Sequence, residues 1–303
     1  MALVNTKNML KKALDEGYAI PAFNICNMES AQAVAEVCAE KNAPVIISVS
    51  EGAGKYAGFD YIKAIVEVAA SKSSNDIALH LDHGKTFEVC KAAIDAGFTS
   101  VMIDASALAY EDNIAETKKV VDYAHARNVT VEAELGKIMG TEDLISSTTE
   151  SFTDPDEAKD FVTRTGVDSL AISIGTAHGV NKSIKTPVIQ YGVINAVHEA
   201  IPEVPLVAHG SSTVPAKWVE LITKYGGEIK KSQGIAEEDI VKMSKTAICK
   251  INMDTDLRLA HTAGVREDLA NNPGHFDQRD YNKAGKKYVK EQIAHAVELV
   301  EGI

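Results

Sequence analysis

Three of the nine histidines share a setting. His83, His178 and His209 are each followed directly by glycine, in Asp82-His83-Gly84, Ala177-His178-Gly179 and His209-Gly210. Three imidazoles with one position left open form the ligand set of a catalytic zinc, which acts as a Lewis acid on a substrate oxygen. Asp82 stands next to the first of them, a proton-transfer group beside a metal ligand. Asp104, Glu132 and Glu134 add carboxylates, and the last two share one face of an extended segment. These acids can bind a metal, orient another ligand or solvate the rim of a site, and the residues alone leave all three roles open. Gly210-Ser211-Ser212 and Asp254-Thr255, with Gly179 and Lys182, have the composition of a phosphate cradle, where backbone N–H groups and a helix N-terminus hold the oxygens. The other histidines (His125, His198, His261, His275, His295) are expected on helices and late loops, with His80 either supporting a ligand or packed behind the site.

For these residues to meet, the chain must bring distant segments to one place. Eight short apolar, β-branched runs end at them. Tyr18–Phe23 ends at Asn24, Pro44–Val49 at Ser50, Asp76–Leu81 at Asp82-His83, and Ser100–Ile103 at Asp104. Val129–Ala133 carries the two glutamates, Asp168–Ile174 leads to His178, Val204–Ala208 ends at His209, and Ala247–Ile251 at Asn252 and Asp254. Amphipathic patterns lie between them: Ile62, Val66 and Ala69 share a face, as do Phe87, Cys90 and Ile94, and Ile114, Val121 and Ala124. Asp154-Pro155 reads as an N-cap followed by proline at the first helical position. Strand then helix, about eight times, predicts an α/β fold, a (β/α)₈ TIM barrel, as a single domain over residues 1–303. Leu257–Ala270 is the eighth helix and Tyr288–Val300 an additional C-terminal one. In such a barrel the C-terminal ends of the strands form one face, where barrel active sites sit. Residues 136–153, with Gly140, Glu142 and Asp143, are long for a βα loop and predict a lid or a disordered tip. Lys250, the one candidate lysine on a predicted strand, is expected to be structural or on the rim.

The 303 residues are 45% hydrophobic and 24% charged, the composition of a soluble globular chain with a large core. A formal net charge of −12 argues against a nucleic-acid surface and against anionic membranes, but not against a small anion held by a few local cations. The four cysteines, Cys26, Cys38, Cys90 and Cys249, are scattered without C-x-x-C spacing and read as reduced core thiols of a cytoplasmic protein. No N-terminal apolar run suggests a signal peptide or a membrane span.

With these motifs in place the chain resembles the class II, metal-dependent ketose-bisphosphate aldolases over essentially its whole length. The likeness is carried by Leu79-His80-Leu81-Asp82-His83-Gly84, by Met102-Ile103-Asp104-Ala105-Ser106 with Glu111 and Asn113, and by Val131-Glu132-Ala133-Glu134-Leu135-Gly136. It continues in Ile174-Gly175-Thr176-Ala177-His178-Gly179, His209-Gly210-Ser211-Ser212 and Asn252-Met253-Asp254-Thr255-Asp256-Leu257-Arg258. The resemblance implies zinc on His83, His178 and His209, with Asp104 and Glu134 matching positions that hold a second or displaced divalent metal. It implies that Asp82 is the acid/base at a C4 hydroxyl and that Glu142 exchanges the proton at C3 of dihydroxyacetone phosphate. Gly179, Lys182, Gly210, Ser211, Ser212, Asp254 and Thr255 match the phosphate pocket, with Asn24, Ser50 and Asn252 as further substrate contacts. Arg279 matches an arginine that reaches the other phosphate from a neighbouring subunit, which implies a homodimer or homotetramer. Family members often bind a monovalent cation, Na⁺ or K⁺, near the phosphate. The implied reaction is the glycolytic cleavage of fructose 1,6-bisphosphate, with tagatose 1,6-bisphosphate as the near alternative.

Two positions depart from relatives: residues 107–109 read Ala-Leu-Ala where some carry histidine, and Thr213 follows the two serines where tagatose-specific members often have an acid. The second leans toward fructose. A barrel metallohydrolase is a remoter reading, and the first strand lacks the His-x-His pair such enzymes often carry. A non-catalytic barrel would have lost at least one site residue, and none is lost.

Overall fold

A computed structural model describes residues 3–142, 145–147, 151–178, 187–229 and 233–302. Eight strands, β1 (Ile20–Asn24), β2 (Val45–Ser50), β3 (Ile77–Gly84), β4 (Ser100–Ile103), β5 (Thr130–Leu135), β6 (Ser169–Ile172), β7 (Leu206–Ala208) and β8 (Ile248–Met253), close into one parallel barrel. Each strand pairs with its sequence neighbour, and β8 returns to β1 with Ile20 opposite Lys250 and Ala22 opposite Asn252. The expected barrel is therefore present.

Helices fill every crossover, because parallel neighbours need a long connection that covers the outer face of the sheet. Asp154 caps the helix Pro155–Thr165 as expected, its side chain accepting from the N–H groups of Asp156 and Glu157. The last strand feeds Thr255–Asn271, and the C-terminal helix, Gln278–Glu301, begins ten residues before the expected Tyr288. Between barrel and helices lies a continuous apolar shell including Phe98, Phe161, Trp218 and Ile293. Each such side chain contributes roughly 1.5–3 kcal/mol on burial.

The barrel interior differs from that shell. At its lower end Ile20, Ala22, Ile46 and Ala78 pack against Met9, Leu10 and Ala13 of the N-terminal helix Thr6–Glu16, which plugs the barrel. Above this plug the inward positions become polar: Ser48, His80, Ser100, Glu132 and Lys250 are all buried. At the upper, C-terminal end of the strands stand Asn24, Ser50, Asp82, Glu134 and Asn252. A barrel usually fills these layers with branched apolar side chains. Here the polarity increases toward the mouth, where a site belongs. Lys250 is accordingly not on the rim, as one of its expected placements had it, but inside the barrel at 1% exposure.

Within residues 136–153, expected as a lid or a disordered tip, the described segments carry strand structure. Met139–Glu142 pairs antiparallel with Ile145–Ser147 and parallel with Ala177–His178, so these segments form a small second sheet above the barrel. Its base is closed by paired backbone hydrogen bonds between Lys137 and Ser151 (3.0 and 3.2 Å). No described helix is long and apolar enough to cross a membrane. Among the cysteines, Cys38, Cys90 and Cys249 are buried as expected for core thiols, whereas Cys26 is exposed.

Candidate active site

In a regular strand neighbouring side chains point to opposite faces, yet Asp82 and His83 are adjacent and both serve one site. The strand is irregular at this point. The register of β3 against β4 shifts between Leu81 and Gly84, and His83 has φ 49°, the left-handed region. Gly84 then sits so tightly that a Cβ there would lie 2.9 Å from the Met102 carbonyl oxygen and 2.7 Å from Leu81 Cδ2. Its own carbonyl accepts from the Asp104 N–H at 2.8 Å.

The three imidazoles converge. The ring centroid of His83 lies 5.0 Å from that of His178 and 4.5 Å from that of His209. All three are buried. His83 Nδ1 hydrogen-bonds Asp104 Oδ2 at 3.0 Å, and His209 Nε2 hydrogen-bonds Glu132 Oε1 at 2.7 Å. Each carboxylate therefore occupies one ring nitrogen. The other one, Nε2 of His83 and Nδ1 of His209, is buried without a hydrogen-bond partner among the described residues. Buried polar atoms are normally satisfied, and leaving one unsatisfied costs about 1–3 kcal/mol. Two such atoms in one buried cluster fit a divalent metal, with the His178 ring 5.0 Å from that of His83 and 6.2 Å from that of His209, and carboxylate-oriented imidazoles are the usual support of such an ion. Ligand atoms of Asp82, His83 and His209 lie within 4.8 Å of one another, as do those of His83, Asp104 and Glu134. The two sets share His83, so the residues could hold one ion in either of two neighbouring positions.

The electrostatics follow from burial and mutual charge. Burial works against a charged His83, but the carboxylates of Asp82, Asp104 and Glu134 outweigh it and hold the ring well above the usual imidazole range. Burial, reinforced by the neighbouring Asp104, pushes the Glu134 carboxyl well above its ordinary range. Burial also raises Asp104, but the His83 hydrogen bond and charge prevail and hold it low. Ser106 Oγ donates within this cluster, 2.7 Å from Asp104 Oδ1 and 3.1 Å from Glu134 Oε1. The cluster holds more negative charge than a dry site tolerates alone, which again fits a cation.

Asp82 is fully buried and is fixed from two other strands. Its Oδ2 accepts from Asn24 Nδ2 at 2.7 Å and from Asn252 Nδ2 at 3.3 Å, and the two amides also bond each other at 3.1 Å. Its Oδ1 lies 3.7 Å from His209 Nδ1. The expected substrate contacts Asn24 and Asn252 thus also orient the expected acid/base, a role not read from the sequence because 58 and 170 residues separate the partners.

On the other side of the mouth, Ser212 Oγ accepts from the Asp254 N–H at 3.3 Å, and Gly210, at φ 63°, packs directly on the Ala177 backbone. The loop after Ser212 is tied down by Asp256, which accepts from the N–H groups of Thr213 (2.8 Å) and Val214 (2.9 Å). Ser211, Ser212, Asp254 and Thr255 are all buried, with Thr255 opening the helix Thr255–Asn271. Ser50 caps the short helix Glu51–Ala57, accepting from the Ala53 N–H at 3.2 Å. A cavity of ≈ 430 Å³ opens beside Asn24, Ser50 and Asp254, lined also by Tyr56 and Arg258. Arg258 forms an ion pair with Asp254 at 2.6 Å.

Not every expected residue joins this cluster. Gly179 and Lys182 lie outside the described residues. Glu142 ends the strand whose Gly140 pairs with His178, so its backbone is carried beside one of the three histidines. Arg279 is 87% exposed at the start of the last helix and pairs with Asp277 next to it, not with a strand-end residue. His80 and Lys250, expected as a group supporting or packed behind the site and as a structural or rim lysine, lie inside the barrel. They are joined to the histidine cluster through Glu132, and their direction follows from spacing: His80 and Asp82, and Lys250 and Asn252, are two apart and so share the inward face.

Comparison with known proteins agrees with this arrangement. Residues 4–302 match the family model described as fructose-bisphosphate aldolase class-II. The chain is 42% identical to a fructose-bisphosphate aldolase of Treponema pallidum, covering 100% of this chain and 97% of that one. It is 45% identical to that of Thermus caldophilus, over 98% and 97% of the two chains. The crystal structure of the YdjI aldolase from Escherichia coli K12 superposes with a TM-score of 0.80 at 32% identity, covering 98% of this chain and 97% of that one. The chain belongs to the class II fructose-bisphosphate aldolase family.

Proposed function

We propose that the protein catalyses the reversible aldol cleavage of fructose 1,6-bisphosphate to dihydroxyacetone phosphate and glyceraldehyde 3-phosphate, as a zinc-dependent lyase. The observation that carries this reading is the pair of buried, partnerless ring nitrogens of His83 and His209 beside Asp82. His83, His178 and His209 would hold the zinc, and Asp104 and Glu134 a second or displaced divalent ion. When bound, the metal supplies Lewis-acid stabilisation of the negative charge that develops on the ketone side of the substrate.

The chain's own groups do the rest. Asp82, aimed by Asn24 and Asn252, removes the proton from the C4 hydroxyl. The C4–O bond becomes a carbonyl as C3–C4 breaks, and that electron pair stays on the three-carbon fragment as an enediolate. Glu142 returns a proton to C3, which releases dihydroxyacetone phosphate. Gly179, Lys182, Gly210, Ser211, Ser212, Asp254 and Thr255 would grip a phosphate, with a monovalent cation nearby. Ser50 would contact the remainder of the substrate. Arg279, exposed on its own subunit, would serve the other phosphate of a neighbouring one in a homodimer or homotetramer. The 303 residues would work as one catalytic domain in the cytoplasm.

A coupled assay with fructose 1,6-bisphosphate, repeated after EDTA treatment and after restoring zinc, tests this. Activity should vanish with chelation and return with zinc. Full activity in the chelated enzyme would overturn the mechanism, and equal or faster cleavage of tagatose 1,6-bisphosphate would overturn the choice of substrate.

A further inference from the structure

Glu132 and Lys250 form a buried ion pair that no step of the proposed reaction uses. They stand on β5 and β8, three strands apart around the barrel, and meet through its interior. Lys250 Nζ lies 2.8 Å from Glu132 Oε2 and 3.1 Å from His80 Nε2. The other oxygen, Glu132 Oε1, takes the Nε2 hydrogen of His209 at 2.7 Å. Lys250 and Glu132 are 1% and 2% exposed.

A buried pair of this kind is not there for stability in the first instance, since apolar residues of similar volume often serve as well or better. Its geometry indicates what it does. Glu132 must offer one oxygen to His209, because only an Nε2–H tautomer leaves Nδ1 free to face Asp82 and His83. Lys250 occupies the second oxygen and balances its charge, so the carboxylate cannot turn away. The lysine is held in turn by His80, a neutral ring whose Nδ1–H donates to Ser100 Oγ at 2.8 Å. Burial, with Lys250 adding to it, pushes His80 down to about 3.

We propose that Lys250 is a positioning residue of the metal centre, acting through Glu132 to set the tautomer and direction of the metal-binding nitrogen of His209. This rests on the reading that His209 binds a divalent metal. The lysine acts one layer below the mouth, two residues before Asn252 on the same strand face, and its hydrogen-bond partners among the described residues are Glu132 and His80.

The hydrogen-bond arithmetic predicts an unusual pattern among variants. In Glu132→Gln the amide has one oxygen for two donors, Lys250 and His209, so His209 loses its support in part. Adding Lys250→Met removes the competing donor and frees that oxygen for His209. Zinc affinity, by competition with a chromophoric chelator, and the visible spectrum of the cobalt(II)-loaded protein should be measured for the parent, both single variants and the double variant. Each single variant should bind zinc roughly 10- to 100-fold more weakly, with a displaced cobalt band. The double variant should bind more tightly than Glu132→Gln alone.

A core residue without this role would lower thermal stability and leave zinc affinity and the cobalt spectrum within twofold of the parent, which would overturn the proposal. Should Lys250→Met fail to fold, the charge-free double variant still decides: affinity equal to or below that of Glu132→Gln overturns it. A parent chain that binds no zinc overturns the metal reading and this proposal together. A parent that binds zinc while the variants match it overturns this proposal alone.

Discussion

Replacing Asp82 with asparagine separates proton transfer from metal binding. The amide keeps the shape of the carboxylate, and its oxygen can still accept from Asn24 Nδ2 and Asn252 Nδ2, now 2.7 and 3.3 Å from Asp82 Oδ2. Its NH₂ would fall where Oδ1 now lies, 3.7 Å from His209 Nδ1, too far to compete for that nitrogen. Asp82→Asn should therefore bind zinc as the parent does. What it loses is basicity, and a positioned general base is worth typically 10²–10⁴-fold, or about 3–5.5 kcal/mol of activation free energy. Asp82→Ala makes the contrast: it loses the same rate term and also removes the acceptor of Asn24 Nδ2, while Asn252 Nδ2 keeps only Asn24 Oδ1, at about 1–3 kcal/mol of stability. Steady-state cleavage of fructose 1,6-bisphosphate, zinc content by elemental analysis and thermal unfolding should be measured on both. Asp82→Asn should show kcat down at least 100-fold, full zinc and little change in Tm, with Asp82→Ala equally inactive but clearly less stable. An Asp82→Asn enzyme within tenfold of the parent kcat would refute the assignment. Loss of zinc along with activity would make Asp82 a ligand rather than the proton carrier.

His178→Ala should lose zinc and activity together, so a variant that keeps stoichiometric zinc in elemental analysis would remove His178 from the ligand set. Gly84→Ala places a methyl 2.9 Å from the Met102 carbonyl oxygen, which should cost about 1–3 kcal/mol and displace His83. Parental Tm and kcat together would argue against this. Glu301, in the last helical turn, has its carboxyl pushed up to about 8 by burial. A raised acid leaves stability unaffected below the unfolded-state pKa, erodes it as pH rises from there to about 8, and adds nothing further beyond. Because this turn is partly open to solvent, the full linkage value is discounted to about 1–2 kcal/mol. Glu301→Gln should thus unfold like the parent at pH 4 and be more stable by that amount at pH 8.5, and equal urea midpoints at both pH values would refute the burial account.

The barrel and its three histidines were legible because the signals are local. An apolar run ending in Asp-His-Gly or His-Gly-Ser-Ser marks a strand and the residue at its mouth within a few positions, and eight repeats fix the architecture. What was not legible depends on partners far apart in the chain. Met139–Glu142 pairs with Ala177–His178, thirty-odd residues later, so in the sequence it reads only as part of a long loop. The Asn24–Asp82–Asn252 triad joins three strands and carries no periodic signature. Lys250 is the instructive case. A lysine on a strand reads as structural or on the rim, and its inward direction follows only when it is paired with Asn252 at i+2, while its partner appears only when Glu132 is found across the barrel.

The adjacency of Asp82 and His83 is itself the physical problem that the fold solves. Alternation along a strand forbids two neighbours from serving one site, and the chain breaks alternation where it needs to, by placing His83 in the left-handed region at φ 49°. A non-glycine residue held there costs about 1–3 kcal/mol and persists only where its surroundings over-determine it. They do: Asp104 holds the His83 ring, the Gly84 carbonyl takes the Asp104 N–H, and the missing Cβ of Gly84 lets β4 approach. A regular strand with Asp82 and a histidine two residues away would avoid the strain but set proton carrier and ligand about 6–7 Å apart along the strand. The bulge removes that separation, and Oδ1 of Asp82 comes to rest 3.7 Å from the bare nitrogen of His209. Backbone strain at His83 is thus the means by which an acid and a metal ligand from one short segment reach the same substrate.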